Sequence, residues 1–175
     1  MNRRAALIAF SVSFLMVAGA YGKEIIVEVN GKPAKLQYLA INHEIKENDI
    51  DKGSQESAMA CSLLFYSLLS KGDVQAAAKL SSDPKATAEE WMNYQQRVGA
   101  DNFKKEMREY FKTKNVVVGE LVLAEDTMLV VKTEDGERAQ FYQKKNGKYF
   151  MTDKPTAGET LGKVLNMIQE GKIKL

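Results

Sequence analysis

Three Asx-Gly dipeptides constrain the fold of this chain more than any other feature. They are Asn30-Gly31, Asp135-Gly136 and Asn146-Gly147, and each stands between two runs rich in apolar or β-branched residues. Asn, Asp and Gly tolerate the positive φ that a two-residue hairpin turn requires. The first pair therefore predicts a β-hairpin over residues 24–41. The other two predict an antiparallel meander over residues 115–151.

The segment between the hairpin and the meander changes to helical periodicity. A helix ending at Lys71 is apolar over most of its circumference, so we expect it to be the most buried helix. Asp73 then starts a short helix, and the Thr87/Glu90 pair has capping-box spacing for a third helix. Asp101 starts a fourth helix. The expected apolar stripe of the first helix comprises Ala58, Cys61, Leu64, Phe65, Leu68 and Leu69.

Residues 42–55 are polar and acidic, which predicts an exposed connection. The stretch from Asp49 to Gly53 begins like a calcium loop. Its glycine comes one place early, however, and Ala60 stands where the loop needs its final Glu. We interpret the stretch as a solvated linker and predict no metal site.

Two segments carry a family resemblance. Ala60–Leu80 is a helix that ends in Gly72-Asp73 and continues through an alanine run to a leucine. Tyr142–Tyr149 is a hairpin with an aromatic residue at each end and a central Lys-Asn-Gly-Lys. Over residues 57–151 the chain resembles the nuclear transport factor 2-like superfamily, also called cystatin-like α+β cones.

The resemblance implies an α+β fold in which helices pack on a curved, cone-like antiparallel sheet. Relative to that pattern, the hairpin at 24–41 and a last amphipathic helix at 157–170 are additions. The last helix would cover either the mouth of the cone or the open sheet face. We predict a single α+β domain over residues 21–175.

The first twenty residues are predicted to be a secretory signal peptide. Arg3 and Arg4 precede an apolar run that ends in small residues, the arrangement of a cleaved signal. Cleavage is expected near Ala20 or Gly22, which predicts a periplasmic or secreted protein. The alternative, an uncleaved membrane anchor, is disfavoured because the run is shorter than a spanning helix needs.

Charge excludes several classes of partner. The full chain has 25 Lys and Arg residues against 23 Asp and Glu, and loss of Arg3 and Arg4 leaves 23 of each. A neutral protein has no global field that attracts nucleic acid or an anionic membrane. We therefore expect no nucleic-acid partner and no membrane association after signal removal.

Catalytic motifs are sparse. Cys61 falls on the apolar stripe of a helix, where a free cysteine is usually a core residue. No Gly-x-Ser-x-Gly nucleophile elbow is present. By analogy with isomerases of the resembled superfamily, Asp101, Tyr94, Tyr110 and Tyr142 could contribute to acid–base chemistry, and Asp101 and Tyr110 are the candidates we name. We predict no cofactor.

A ligand pocket, if present, is expected where the helices face the meander. The lining predicted from amphipathicity comprises Trp91, Tyr94, Phe103, Met107, Val118, Leu129 and Phe141. The leading hypothesis is a non-enzymatic binding or accessory protein that engages a protein partner or a small apolar ligand. The alternatives are a small isomerase or hydro-lyase, an envelope immunity or inhibitor protein, and a structural homodimer.

Overall fold

The computed structural model describes residues 22–175, which form a six-stranded antiparallel sheet with helices on both faces. The predicted signal peptide, residues 1–20, lies outside the described residues. The strands are β1 (Lys23–Val29), β2 (Lys32–Glu44), β3 (Val116–Leu123), β4 (Asp126–Thr133), β5 (Gly136–Lys145) and β6 (Lys148–Met151). The helices are α1 (Ala58–Lys71), α2 (Val74–Ala78), α3 (Pro84–Val98), α4 (Ala100–Glu109) and α5 (Gly158–Gln169).

The sheet is curved and open, and its strand order follows the chain order from β1 to β6. The turns at Asn30-Gly31 and Asn146-Gly147 adopt positive φ at both residues, as their composition predicts. Strand β2 pairs with β3 although four helices separate them in the chain. The hairpin and the meander are therefore parts of one sheet, and the predicted α+β class is confirmed.

Helices α1 to α4 cover one face of the sheet. Helix α1 is the centre of this layer, because Cys61, Phe65 and Leu69 are all inaccessible or nearly so. Their core also contains Leu129 from β4 and Tyr142 from β5. Three serines of α1 are buried as well: Ser62, Ser67 and Ser70. The helix is thus buried on more than its apolar stripe.

Helix α5 covers the opposite face of the sheet. Leu161 and Val164 are fully buried against Leu36 of β2 and Met128 of β4. Of the two places anticipated for this helix, it occupies the sheet face. Its N-terminal end is attached to the sheet by Asp126, which accepts a hydrogen bond from the Ala157 amide at 2.6 Å.

Irregular pairing between β2 and β3 changes which side chains face each layer. The register shifts between Ala40 and His43 on β2 and between Val117 and Gly119 on β3. As a result Val117 packs in the α1 layer while Leu121 packs in the α5 layer. Strict alternation would place both on one face, and a β-bulge breaks it.

The connection after β2 is largely exposed, as its composition predicts, but one of its acidic residues is buried. Asp49 is only 3% exposed. Its carboxylate accepts hydrogen bonds from Lys52 Nζ, His43 Nε2 and the Lys46 amide, each at 2.9 Å. The prediction was wrong for this residue because an acidic side chain can be buried when several donors surround it.

Helix α3 begins earlier than the capping box at Thr87 predicts. Asp83 is the N-cap and accepts from the Ala86 amide, and Pro84 occupies the first turn. Proline suits this position because its missing N–H would have no helical partner there. Thr87 is buried instead and donates to Ser81 Oγ at 2.8 Å.

The buried Asp49 carboxylate should make stability depend on acidic pH. Burial alone would raise its pKa, but the hydrogen bonds from Lys52, Lys46 and His43 outweigh burial and lower the pKa to about 2. Because the unfolded value is about 3.9, this stabilisation is present above that pH. It is lost as the pH falls from about 5 to about 2.

Urea unfolding of the wild type and Asp49→Asn across pH 7 to 2 measures this effect. The wild type should be more stable at pH 7, and the difference should shrink through that acidic window. An unchanged difference down to pH 2 would mean that the carboxylate charge contributes nothing.

Phe65→Ala should destabilise the protein by about 3–5 kcal/mol, the usual cost of deleting a buried aromatic side chain. Leu64→Ala is the matched control, since Leu64 lies next to it on α1 and is half-buried. Chemical unfolding should give a clearly smaller loss for Leu64→Ala. Equal losses would contradict the orientation of α1.

Candidate functional site

A cavity of about 350 Å³ lies between helices α1 and α4 and strands β4 and β5. We call it the tyrosine cavity. Its inner residues come from the helices and the strands, and its outer residues come from the end of α4 and the β4–β5 turn. The lining consists of Tyr66, Glu106, Glu109, Tyr110, Thr113, Asn115, Val131, Thr133, Glu134, Asp135, Arg138 and Gln140.

A hydrogen-bonded network connects two lining residues of the tyrosine cavity, Tyr110 and Gln140, to Ser62 and Tyr142 in the core behind them. The Gln140 side-chain oxygen accepts from Ser62 Oγ at 2.7 Å and from Tyr142 Oη at 2.9 Å. Ser62 Oγ also lies 2.8 Å from Tyr110 Oη. Because the Ser62 proton is directed to Gln140, the Tyr110 hydroxyl is the donor in that contact. Four side chains from α1, α4 and β5 are thus joined in one network.

The tyrosines of this network are neutral hydrogen-bonding groups. Burial raises the pKa of Tyr110 and Tyr142, and of the neighbouring Tyr66, above the ordinary phenol value. Tyr66 and Tyr110 stack with ring centroids 3.8 Å apart. The inner end of the cavity can therefore donate and accept hydrogen bonds and present aromatic surface, but it does not titrate near neutral pH.

The local geometry of two elements brings these side chains together. Ser62 and Tyr66 are four residues apart on α1 and so lie on the same helical face. Arg138, Gln140 and Tyr142 alternate along β5, which places them on the same face of the sheet. Along this strand Arg138 and Gln140 line the cavity, and the fully buried Tyr142 lies behind Gln140 in the core.

Carboxylates surround the mouth of the tyrosine cavity. They belong to Glu106, Glu109, Glu134 and Asp135. Within residues 22–175, only Asp135 among these four forms a salt bridge, to Arg138 at 2.8 Å. The Tyr94 hydroxyl donates to Glu106. Carboxylates thus outnumber basic side chains in the lining.

The two catalytic candidates from the sequence have different positions. Tyr110 is part of the network at the inner end of the cavity. Asp101 is exposed in the first turn of α4 and does not line the cavity. The structure therefore does not bring Asp101 and Tyr110 together in this cavity.

The predicted pocket residues fall into three groups. Trp91, Tyr94 and Met107 line a separate groove of about 520 Å³ beside α3 and α4, and Phe103 contacts Trp91 and Tyr94 from the core. Leu129 is buried in the α1-side core. The remaining two, Val118 and Phe141, pack on the α5 side of the sheet.

A larger cavity of about 780 Å³ lies on the α5 side, next to the C-terminal residues 171–175. Volume alone would favour it as a ligand site. Its charged residues include Lys114, Lys132 and Glu134, all of them exposed, and its apolar residues come mainly from strands and α5. The tyrosine cavity is the better candidate because two of its lining residues, Tyr110 and Gln140, are oriented by hydrogen bonds to the buried Ser62 and Tyr142.

Sequence reasoning missed the residues that define the inner end. Tyr66 and Ser62 lie on the helix that the sequence predicts to be the most buried one, and Gln140 belongs to no motif. These last two are 78 positions apart in sequence, so only the tertiary fold brings them together. No local signal identifies such a pair.

Two other chemistries receive no support from the described residues. The Cys61 thiol is buried, and burial raises its pKa to about 12, so it is not a nucleophile at neutral pH. Residues 22–175 contain no group of three or more His, Cys, Asp and Glu side chains placed to hold a metal ion. In the same range no helix has both the length and the apolar character to cross a bilayer.

Gln140→Leu should destabilise the protein because it leaves the buried Ser62 and Tyr142 hydroxyls without their acceptor. The expected loss is about 1–3 kcal/mol for each unsatisfied group. Gln37→Leu is the control, since Gln37 is an exposed strand residue on β2. Chemical unfolding should show almost no change for the control. A similar small change for both variants would contradict the network.

Comparison of the chain with family models, curated proteins and solved structures finds no match in any of the three. The evidence for function therefore comes from the residues of this chain and the geometry of the tyrosine cavity.

Proposed function

We propose that this chain is a secreted or periplasmic binding protein that holds a small ligand in the tyrosine cavity. The observation that carries the proposal is an open cavity whose half-buried lining residues Tyr110 and Gln140 are held by hydrogen bonds to the buried Ser62 and Tyr142. Ligand sites typically combine a concave shape with a few oriented polar groups. The other parts of the proposal follow from the fold and the predicted signal peptide.

Binding is favoured over catalysis by the chemistry of the cavity. The ionisable groups at its inner end are tyrosines whose raised pKa keeps them protonated at neutral pH. A general base needs a pKa near the working pH. The carboxylates lie at the mouth, and the candidate Asp101 is not in the lining. These positions suit recognition of a ligand better than proton transfer.

The polar lining also refines the expected ligand. The sequence led us to anticipate a small apolar ligand or a protein partner. A ligand that reaches Gln140 and Tyr66 without polar groups would leave oriented hydrogen-bonding groups unused, which costs affinity. We therefore propose a small ligand with polar character and at least one surface able to contact an aromatic ring.

The cone-like core and the location complete the proposal. A helical layer on a curved antiparallel sheet, with a cavity between the layers, is the arrangement that the resemblance to the nuclear transport factor 2-like superfamily implies. The predicted signal peptide supports export, with β1 and β2 as an addition to that core.

Native mass spectrometry of mature protein purified from the periplasm tests binding directly. We expect a ligand mass in the native spectrum that disappears after denaturation. The mass of the polypeptide also reports the cleavage site, which should lie near Ala20 or Gly22.

A pair of tryptophan variants locates the ligand. Thr113→Trp adds bulk to the cavity lining and should remove the extra mass, whereas Thr156→Trp adds the same side chain outside that lining and should keep it. An extra mass that survives Thr113→Trp would place the ligand elsewhere. A bare polypeptide mass for the wild type, together with no thermal stabilisation by a panel of small metabolites, would overturn the proposed function.

A further inference from the structure

We infer that the ligand of the tyrosine cavity is a small organic cation, either an amine or a quaternary ammonium compound. This inference rests on the proposed function, because it names the chemical class that the same site would accept. Three observations support it: the charge of the mouth, the aromatic inner end and the volume of the cavity.

The charge of the mouth favours a cation. Glu106, Glu109 and Glu134 line it without a salt bridge to any residue in 22–175, and the remaining carboxylate, Asp135, is paired. The chain as a whole has almost equal numbers of acidic and basic residues, so this acidic mouth is a local feature. A cleft lined by one sign of charge concentrates ligands of the opposite sign.

The inner end offers aromatic surface behind those carboxylates. Tyr66 and Tyr110 both line the cavity and are stacked on each other. A cation near the face of an aromatic ring is attracted by the ring quadrupole, and this attraction grows when water is excluded. Carboxylates outside and tyrosines inside together match a compact ligand with a positive charge at one end.

The volume limits the size of that ligand. At about 350 Å³ the cavity is near the lower end of the range for small-molecule sites. An anionic ligand of this size would have to pass three carboxylates that no salt bridge neutralises. A neutral one would gain nothing from them.

Arg138 is the internal competitor for such a ligand. Its guanidinium belongs to the same lining and already pairs with Asp135, yet its side chain is 65% exposed. An exposed ion pair of this kind contributes little stability. Removing the Arg138 charge should therefore increase the affinity for a cation, while removing the Glu109 charge should decrease it.

Calorimetry with choline and with 3,3-dimethylbutan-1-ol, its uncharged analogue of the same shape, tests the inference. We expect choline to bind the mature protein at least about tenfold more tightly than the alcohol, and its affinity to fall as salt is added. Glu109→Gln should weaken choline binding severalfold, and Arg138→Gln should strengthen it. Glu125→Gln, an exposed carboxylate outside the lining, should leave it unchanged.

The outcomes separate the ligand class from the binding function. Equal affinities for choline and the alcohol, or weaker binding in Arg138→Gln, would overturn the cationic class and leave the cavity as a binding site. If neither probe binds but the native spectrum contains an extra mass that Thr113→Trp removes, the cationic class is wrong and the binding function stands. If neither probe binds and no such mass exists, the proposed function fails with it.

Discussion

Burial of helix α1 against the sheet is the interaction on which the rest of the structure depends. A helix apolar on one stripe can lie at a surface, but α1 is apolar on most sides and must be enclosed. The sheet covers one side of α1, and helices α2 to α4 cover the other sides. Phe65 and Leu69 fill the space between α1 and these elements. Strands β3 to β6 follow helices α1 to α4 in the chain and complete the sheet against which α1 packs.

The same burial explains why the candidate site has polar residues at its inner end. Ser62 and Tyr66 come from the helix that organises the core, so their positions are held by the packing of their neighbours. A polar group inside such a core needs partners, and Gln140 supplies them to Ser62 and Tyr142. The candidate site is therefore hydrogen-bonded where it meets the core and charged where it opens.

Local chemistry determined what could be predicted from sequence. The Asn-Gly turns and the length of α1 depend on neighbouring residues, and the structure has them where the sequence indicates. The N-cap of α3 is harder to predict from the sequence. Asp83 and Thr87 both have suitable side chains, and Pro84 favours Asp83. We expected Asp49 to be solvated because its charge can be read from the sequence. The sequence does not show that the connection folds so that His43 and Lys52 bind its carboxylate.

The bulge at Val117–Gly119 and the contact between Ser62 and Gln140 arise only when distant segments meet. The bulge changes which layer the β3 side chains enter, so alternation along this strand does not assign them to a face. The contact joins residues from α1 and β5 that no spacing rule relates. The α+β class was therefore predictable, whereas the inner end of the cavity was not.

The position of the single tryptophan has an optical consequence. Trp91 is in edge contact with the Tyr94 ring, at 6.1 Å between centroids, and the Tyr94 hydroxyl is bonded to Glu106 at the mouth of the cavity. A ligand that engages Glu106 would release that hydroxyl and change the surroundings of the indole. Since no other tryptophan contributes to the emission, the protein contains its own fluorescent reporter of whether the cavity is filled.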